Sequence, residues 1–93
     1  MTAQTVMVRD SELTLAVVEQ RAVVLSLRAG AYFEFNVVGT EIWNMLAEPR
    51  CVGEIFDELS RTFDVDAKTI ARDVPPFLQD LIKHGLLQVL DSG

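Results

Sequence analysis

Residues 31–43 read AYFEFNVVGTEIW, an aromatic run with strand alternation that passes directly into an asparagine able to open a helix. Ala31, Phe33 and Phe35 alternate with Tyr32 and Glu34, so the two phenylalanines share one face of a strand and belong partly to the core. Natural edge strands are usually blunted by lysine, proline or a bulge, and here only Glu34 serves. A strand this apolar, set just before a helix, invites a partner.

Upstream, the chain reads as strands. Leu13, Leu15 and Val17 alternate with Thr14, Ala16 and Val18. After Glu19 and Gln20 interrupt, Val23, Leu25 and Leu27 alternate with Ala22, Val24 and Ser26. Arg28-Ala29-Gly30 makes a short connection, with a glycine available for positive φ. Three consecutive antiparallel strands form a meander in which the third, Ala31 to Phe35, is an edge. Val6 and Val8 either add a further short strand or lie along the edge, and both readings stay open.

Downstream, the chain reads as helices. Asn36 caps the first, with Val38, Ile42, Met45 and Leu46 at helical spacing until Glu48-Pro49 stops it. Trp43 lies off that stripe, free to cover the sheet edge or to contact an enzyme partner. The second helix carries Val52, Ile55, Phe56, Leu59 and Phe63 on one side, with Cys51 and Glu54 at capping-box spacing and a poor capping residue. Asp66 caps a third segment, Ala67 to His84, which Gly85 ends and whose stripe is Ile70, Val74, Phe77 and Leu81. Pro75 and Pro76 fall inside it and predict either a kink near Arg72 or a split with Asp73 capping a new helix. Leu86 to Leu90 is an apolar tail with strand character. The expected class is α+β, a winged helix-turn-helix-like arrangement of a three-stranded antiparallel sheet followed by three helices. One domain spans residues 1–93, with its core at about 13–87.

The absences narrow the function. One histidine, His84, and one cysteine, Cys51, lie in different elements and do not make a His/Cys metal site. No nucleophile elbow, glycine-rich phosphate loop or zinc-binding helix motif occurs, and the acidic residues read as solvated faces and caps. No cofactor, metal or catalytic residue is expected, and the chain is not expected to be an enzyme. The lone cysteine fits a reducing, cytoplasmic setting, and no apolar run is long enough to span a membrane. A net charge of −6 opposes nucleic acid as a partner and favours a neutral or basic peptide. The winged-helix alternative, a small DNA-binding regulator, would use Lys68, Arg72 and Lys83, but Asp66, Asp73 and Asp80 accompany them. The exposed edge can also pair with its own copy, as a homodimer.

The ordered set of Val23 to Leu27, Gly30, Tyr32-Phe33-Glu34-Phe35-Asn36, Gly39, Ile42-Trp43, Val52, Glu54-Ile55, Leu59, Phe63-Asp64-Val65-Asp66, Asp73-Val74, Phe77-Leu78, Leu81 and Gly85-Leu86-Leu87 resembles the PqqD-like domains. These are the leader-peptide recognition elements of ribosomally made, post-translationally modified peptide (RiPP) pathways. The resemblance covers roughly Leu13 to Leu87. It implies a non-catalytic domain that receives the leader of a precursor peptide as an added strand, in a cleft closed by the third helix. The domain would present that leader to a modifying enzyme, such as a radical S-adenosylmethionine protein or a leader peptidase or cyclase. Such elements serve lasso peptides, radical-modified peptides and the quinone cofactor route alike. Two departures stand out: Cys51 replaces the usual Ser or Thr, and Pro75-Pro76 interrupt a helix that is usually continuous.

The residues lead to a compatible mechanism. Strand addition along Ala31, Tyr32, Phe33, Glu34 and Phe35 would satisfy unpaired main-chain groups, while side-chain pockets select alternate ligand residues. On a helical wheel, one flank of the third segment carries Ala71, Pro75, Leu78 and Ile82, and the other carries Asp73, Asp80 and His84. The apolar flank either faces the added strand and lines the groove with Phe33 and Phe35, or packs on the first two helices or the tail.

Overall fold

The computed structural model describes residues 2–10, 14–18, 21–26 and 30–91. Strand β1 spans Val6–Arg9, β2 Thr14–Val18, β3 Arg21–Ser26 and β4 Ala31–Glu34. Helix α1 (Val37–Met45), the two-residue β5 (Arg50–Cys51), α2 (Val52–Thr62), α3 (Ala67–Lys83) and β6 (Leu87–Asp91) follow. The class is α+β, as expected: an antiparallel β2-β3-β4 meander with three helices behind it. The expected Leu13, Glu19-Gln20 and 27–29 portions of the meander lie outside the described residues.

A second sheet, in the order β5-β1-β6, adds to this plan. Met7 lies opposite Val89 and Val8 opposite Gln88, so the two segments of uncertain fate at either end of the chain pair with each other. The residue that β1 sends fully into the core is Met7, not Val6 or Val8. β5 pairs on the other side of β1, with Val6 opposite Cys51.

In the meander, Ala22, Val24 and Ser26 of β3 point inward and Arg21, Val23 and Leu25 outward. The register sets Phe33 opposite Val24 and Tyr32 opposite Leu25. Phe33 therefore faces the helices, and Tyr32 the open side of the sheet. Gly30, at φ +65°, makes the turn into β4, a backbone conformation that disfavours any residue with a Cβ.

The helix ends follow their local chemistry. Asn36 accepts the Gly39 N–H at 2.8 Å, and Asp66 accepts the Lys68 N–H at 3.2 Å. At α2 the Glu54 carboxylate accepts the Cys51 N–H at 3.0 Å, the half of a capping box that needs no hydroxyl. That bond, more than the nearby Arg50, holds the Glu54 carboxyl below its ordinary pKa. α3 closes with Leu86 N–H donating to Leu81 C=O and Gly85 N–H to Ile82 C=O, with Gly85 at φ +78°.

Two expectations are corrected. α3 does not split at Asp73; it is one helix with both prolines inside. The carbonyls that lose an N–H donor belong to Ala71 and Arg72, both exposed, so water can satisfy them. Trp43 is a core residue and offers no surface to a partner. It is 1% exposed, packed against Phe35 with ring centroids 5.6 Å apart, and the Arg9 guanidinium lies 5.6 Å over its ring. The buried face of α1 is Gly39, Thr40, Ile42 and Trp43, continued by Leu46, because the helix packs between the meander and α2 instead of lying on one layer.

Candidate functional site

β4 has one neighbour, β3, among the described strands, so its other side is a free edge. Which groups lie on that edge follows from the ladder. The Phe35 N–H donates to Ala22 C=O at 2.9 Å, so the main-chain groups of residues 31, 33 and 35 turn toward β3 and those of Tyr32 and Glu34 turn outward. Two donors and two acceptors are thereby presented along a strand pre-extended for pairing. Beyond β4 the Phe35 carbonyl accepts from Arg21 Nε at 3.1 Å and the Ala22 N–H donates to Thr40 Oγ1 at 2.8 Å, which ties the end of the strand to α1.

α3 runs alongside this edge. Phe35 meets Phe77 edge-on at 5.5 Å between centroids, and Phe33 meets His84 edge-on at 5.3 Å. Moving backward along β4 therefore means moving forward along α3, and the helix forms an antiparallel wall. Phe77 and His84 therefore turn to the β4 side, and Asp73 and Asp80 lie within about 60° of Phe77 round the helix, on the side away from the core. The flank expected from the wheel is a different one: Leu78 has 0% exposure and belongs to the core, and Ile82 packs against that core. Ala71, Pro75 and Ile82 lie about 120–160° round the helix from Phe77, with Ala71 exposed and Pro75 half-buried. Contact with the two phenylalanines decides the orientation, because the core takes the arc from Ile70 to Leu78 and sets the acidic flank on the strand side.

Between the end of β4, the start of α1, the end of α2 and the first half of α3 lies a cleft of about 450 Å³. Phe35, Ile42, Leu59, Phe63, Ile70 and Phe77 give it an apolar floor, and Glu34, Asn36, Thr69 and Asp73 form its rim. Its lining includes Glu34, the last residue of β4. Gly39 helps to shape it: a Cβ there would stand 3.2 Å from both Phe35 Cβ and Phe77 Cζ, so glycine lets α1 approach closely.

The polar rim is exposed and weakly constrained. Arg72 Nε donates to Asp73 Oδ1 at 2.9 Å, and this hydrogen bond holds the Asp73 carboxyl below its ordinary pKa. Asp80 Oδ1 stands 3.6 Å from His84 Nδ1. His84 Nδ1 is also 2.8 Å from the Asp80 carbonyl, which can only accept, so Nδ1 carries the proton and Nε2 is left for other partners. Glu34 pairs loosely with Arg21 at 3.9 Å on the open face of the sheet, beside Tyr32 at 70% and Leu25 at 41% exposure.

Of the expected site residues, Ala31, Tyr32, Phe33 and Glu34 form the edge strand, and Phe35 is a buried residue just beyond it whose ring reaches the cleft. Asp73, Phe77, Asp80 and His84 were not singled out for the groove. Their 4-3-4 spacing was visible, but a wheel does not say which neighbour a flank meets. Among the described residues no group of His, Cys, Asp and Glu could hold a metal ion, and no helix is long and apolar enough to cross a membrane.

Comparison with known proteins places this geometry. No curated protein matches the sequence. Among solved structures, "TbiB1 in Complex with the TbiA(beta) Leader Peptide" is 32% identical, superposes with a TM-score of 0.77, and is matched over 87% of this chain and 94% of that one. The family model described as coenzyme PQQ synthesis protein D (PqqD) matches residues 21–87, from the first residue of β3 to the first of β6. The chain belongs to the PqqD family.

Proposed function

We propose that this protein is a non-catalytic adaptor that binds the leader region of a ribosomally made precursor peptide. The leader adds as a strand to β4, and the adaptor presents it to a modifying enzyme, such as a radical S-adenosylmethionine protein or a leader peptidase. The observation that carries the reading is the free β4 edge walled by α3, in a chain 32% identical to one solved with a leader peptide. Main-chain bonding at Tyr32 and Glu34 would give affinity with little demand on sequence, and the apolar cleft would supply an anchor for one ligand side chain. Ala31, Tyr32, Phe33, Glu34 and Phe35 form the strand side of the site, and Asp73, Phe77, Asp80 and His84 the helix side.

The winged-helix alternative draws no comparable support. The bases that a recognition helix would use are interleaved with acids, Arg72 is paired with Asp73, and the chain carries a net charge of −6.

Titrating the ¹⁵N-labelled protein with synthetic leader peptides of candidate precursors tests the reading. Shifts concentrated at the Tyr32 and Glu34 amides and along Asp73 to His84 are expected. Saturable binding that leaves those amides unmoved would exclude strand addition at β4.

A further inference from the structure

The groove has a charge pattern as well as a shape. Along the wall that α3 turns to β4, the order is Asp73, Phe77, Asp80, His84, and this flank carries no Lys or Arg. Lys68 and Lys83 lie about 120–180° round the helix from Phe77, and Arg72, about 140° round, bends its guanidinium back onto Asp73. The two carboxylates are exposed, at 60% and 65% of their side-chain surface. Asp73 is charged at neutral pH, held so by Arg72. Its pair with Arg72 is an exposed contact of the kind worth little, so an incoming cation can share or replace it at small cost.

Spacing converts this pattern into a sequence preference. Asp73 and Asp80 are seven residues apart, about 10 Å along the axis, with Phe77 between them. On an extended strand, residues i, i+2 and i+4 face one side and span about 13 Å. The mismatch is small against the reach of a lysine or arginine, whose aliphatic stem can lie on Phe33 or Phe77 while its head meets a carboxylate. We infer that the strand received at β4 carries basic side chains two positions to either side of an apolar one, the apolar residue seating against Phe77 and the bases meeting Asp73 and Asp80. The inference rests on the leader-binding reading and names the peptide class selected at that site. It also disfavours a second copy as the occupant, because self-pairing at β4 would bring two acidic walls together.

The test uses synthetic peptides identical except at those two positions, which hold Lys, Gln or Glu, with affinity measured by fluorescence anisotropy and the contact site by ¹⁵N shifts. The Lys peptide is expected to bind about tenfold more tightly than the Gln peptide at low salt, about threefold per carboxylate, and the Glu peptide more weakly still. The contrast should shrink as salt rises. Asp73→Asn with Asp80→Asn, both at exposed non-capping positions, should make the Lys and Gln peptides equal, with an unchanged dispersion of amide signals showing the fold intact. Equal affinities in the unmodified protein, with the Tyr32 and Glu34 amides shifting, would overturn the charge preference and leave the adaptor reading standing. No shift at β4 with any of these peptides or with the candidate leaders would overturn both. A rise in mass with concentration that blocks the β4 shifts would assign the edge to self-pairing and overturn the inference.

Discussion

The two flanks of α3 invert what their composition suggests. Ala71, Pro75 and Ile82 make the more apolar flank, yet they lie round the helix from the residues that meet the β4 phenylalanines; Asp73, Asp80 and His84 make the polar flank, and it is this flank that forms the helix side of the proposed groove. Hydrophobicity of a flank reports how much of it the protein can bury, whereas its position relative to β4 depends on which neighbours the core stripe meets. Leu78 shows the distinction, being apolar, on the wheel's groove flank and wholly inside.

Four measurements would break or sharpen this contrast. The largest effect is expected at Leu78: Leu78→Ala should cost about 3 kcal/mol of stability through the lost burial and the cavity left, read as a fall in the denaturation midpoint. A mutant of unchanged stability would return Leu78 to the surface. Next come paired prolines in β4. Phe33→Pro removes an N–H that bonds β3 and should unfold the meander, while Tyr32→Pro removes only an outward N–H. Tyr32→Pro should keep the fold and weaken leader binding about fivefold, one hydrogen bond of about 1 kcal/mol, compared with Tyr32→Ala as the side-chain control. Equal damage from both prolines would show that the outward parity of Tyr32 is misassigned.

A third comparison sets the flanks against each other directly. Pro76→Ala should stabilise the protein by about 1 to 2 kcal/mol by restoring a helix donor to the Arg72 carbonyl. Ala71→Glu on the apolar flank should leave leader affinity unchanged, and a loss of binding there would reinstate that flank as the groove wall. The smallest effect is acidic. Glu54, Glu58 and Asp73 have carboxyl pKa values lowered by hydrogen bonds from the Cys51 N–H, Arg61 and Arg72 respectively. Because the folded values lie below the unfolded ones, their stabilisation is present above the ordinary carboxylate range and is lost as pH falls through the folded values. Thermal melts across that range should show a shallow decline, weakened in Glu54→Gln. Affinity for a basic peptide should decline with Asp73 protonation in the same direction.

Much of the strand side of the proposed site was legible because it is local. Alternation from Ala31 to Phe35, Gly30 at the turn and Asn36 at the cap each act within a few residues, and the structure places β4, its turn and α1 accordingly. The family resemblance, carried by ordered residues from β3 to β6, was likewise readable. The helix side was not. A stripe such as Ile70, Val74, Phe77 and Leu81 says that a face is buried without saying under what, and Trp43 looked peripheral because the groups that enclose it, Phe35 and Arg9, come from other elements.

What the sequence alone determined is the strand meander and the helices after it, the caps at Asn36 and Asp66 and the stop at Gly85, and the family resemblance. Those depend on backbone preferences and period, which short segments carry by themselves. Only the tertiary structure decided that β1 joins β6, that α3 passes unbroken through Pro75 and Pro76, and that Phe77 and His84 meet Phe35 and Phe33. Each depends on long-range contact: pairing needs a partner edge, a proline's unpaired carbonyl is tolerable where the fold leaves it to water, and a helix's rotation is set by what it packs against.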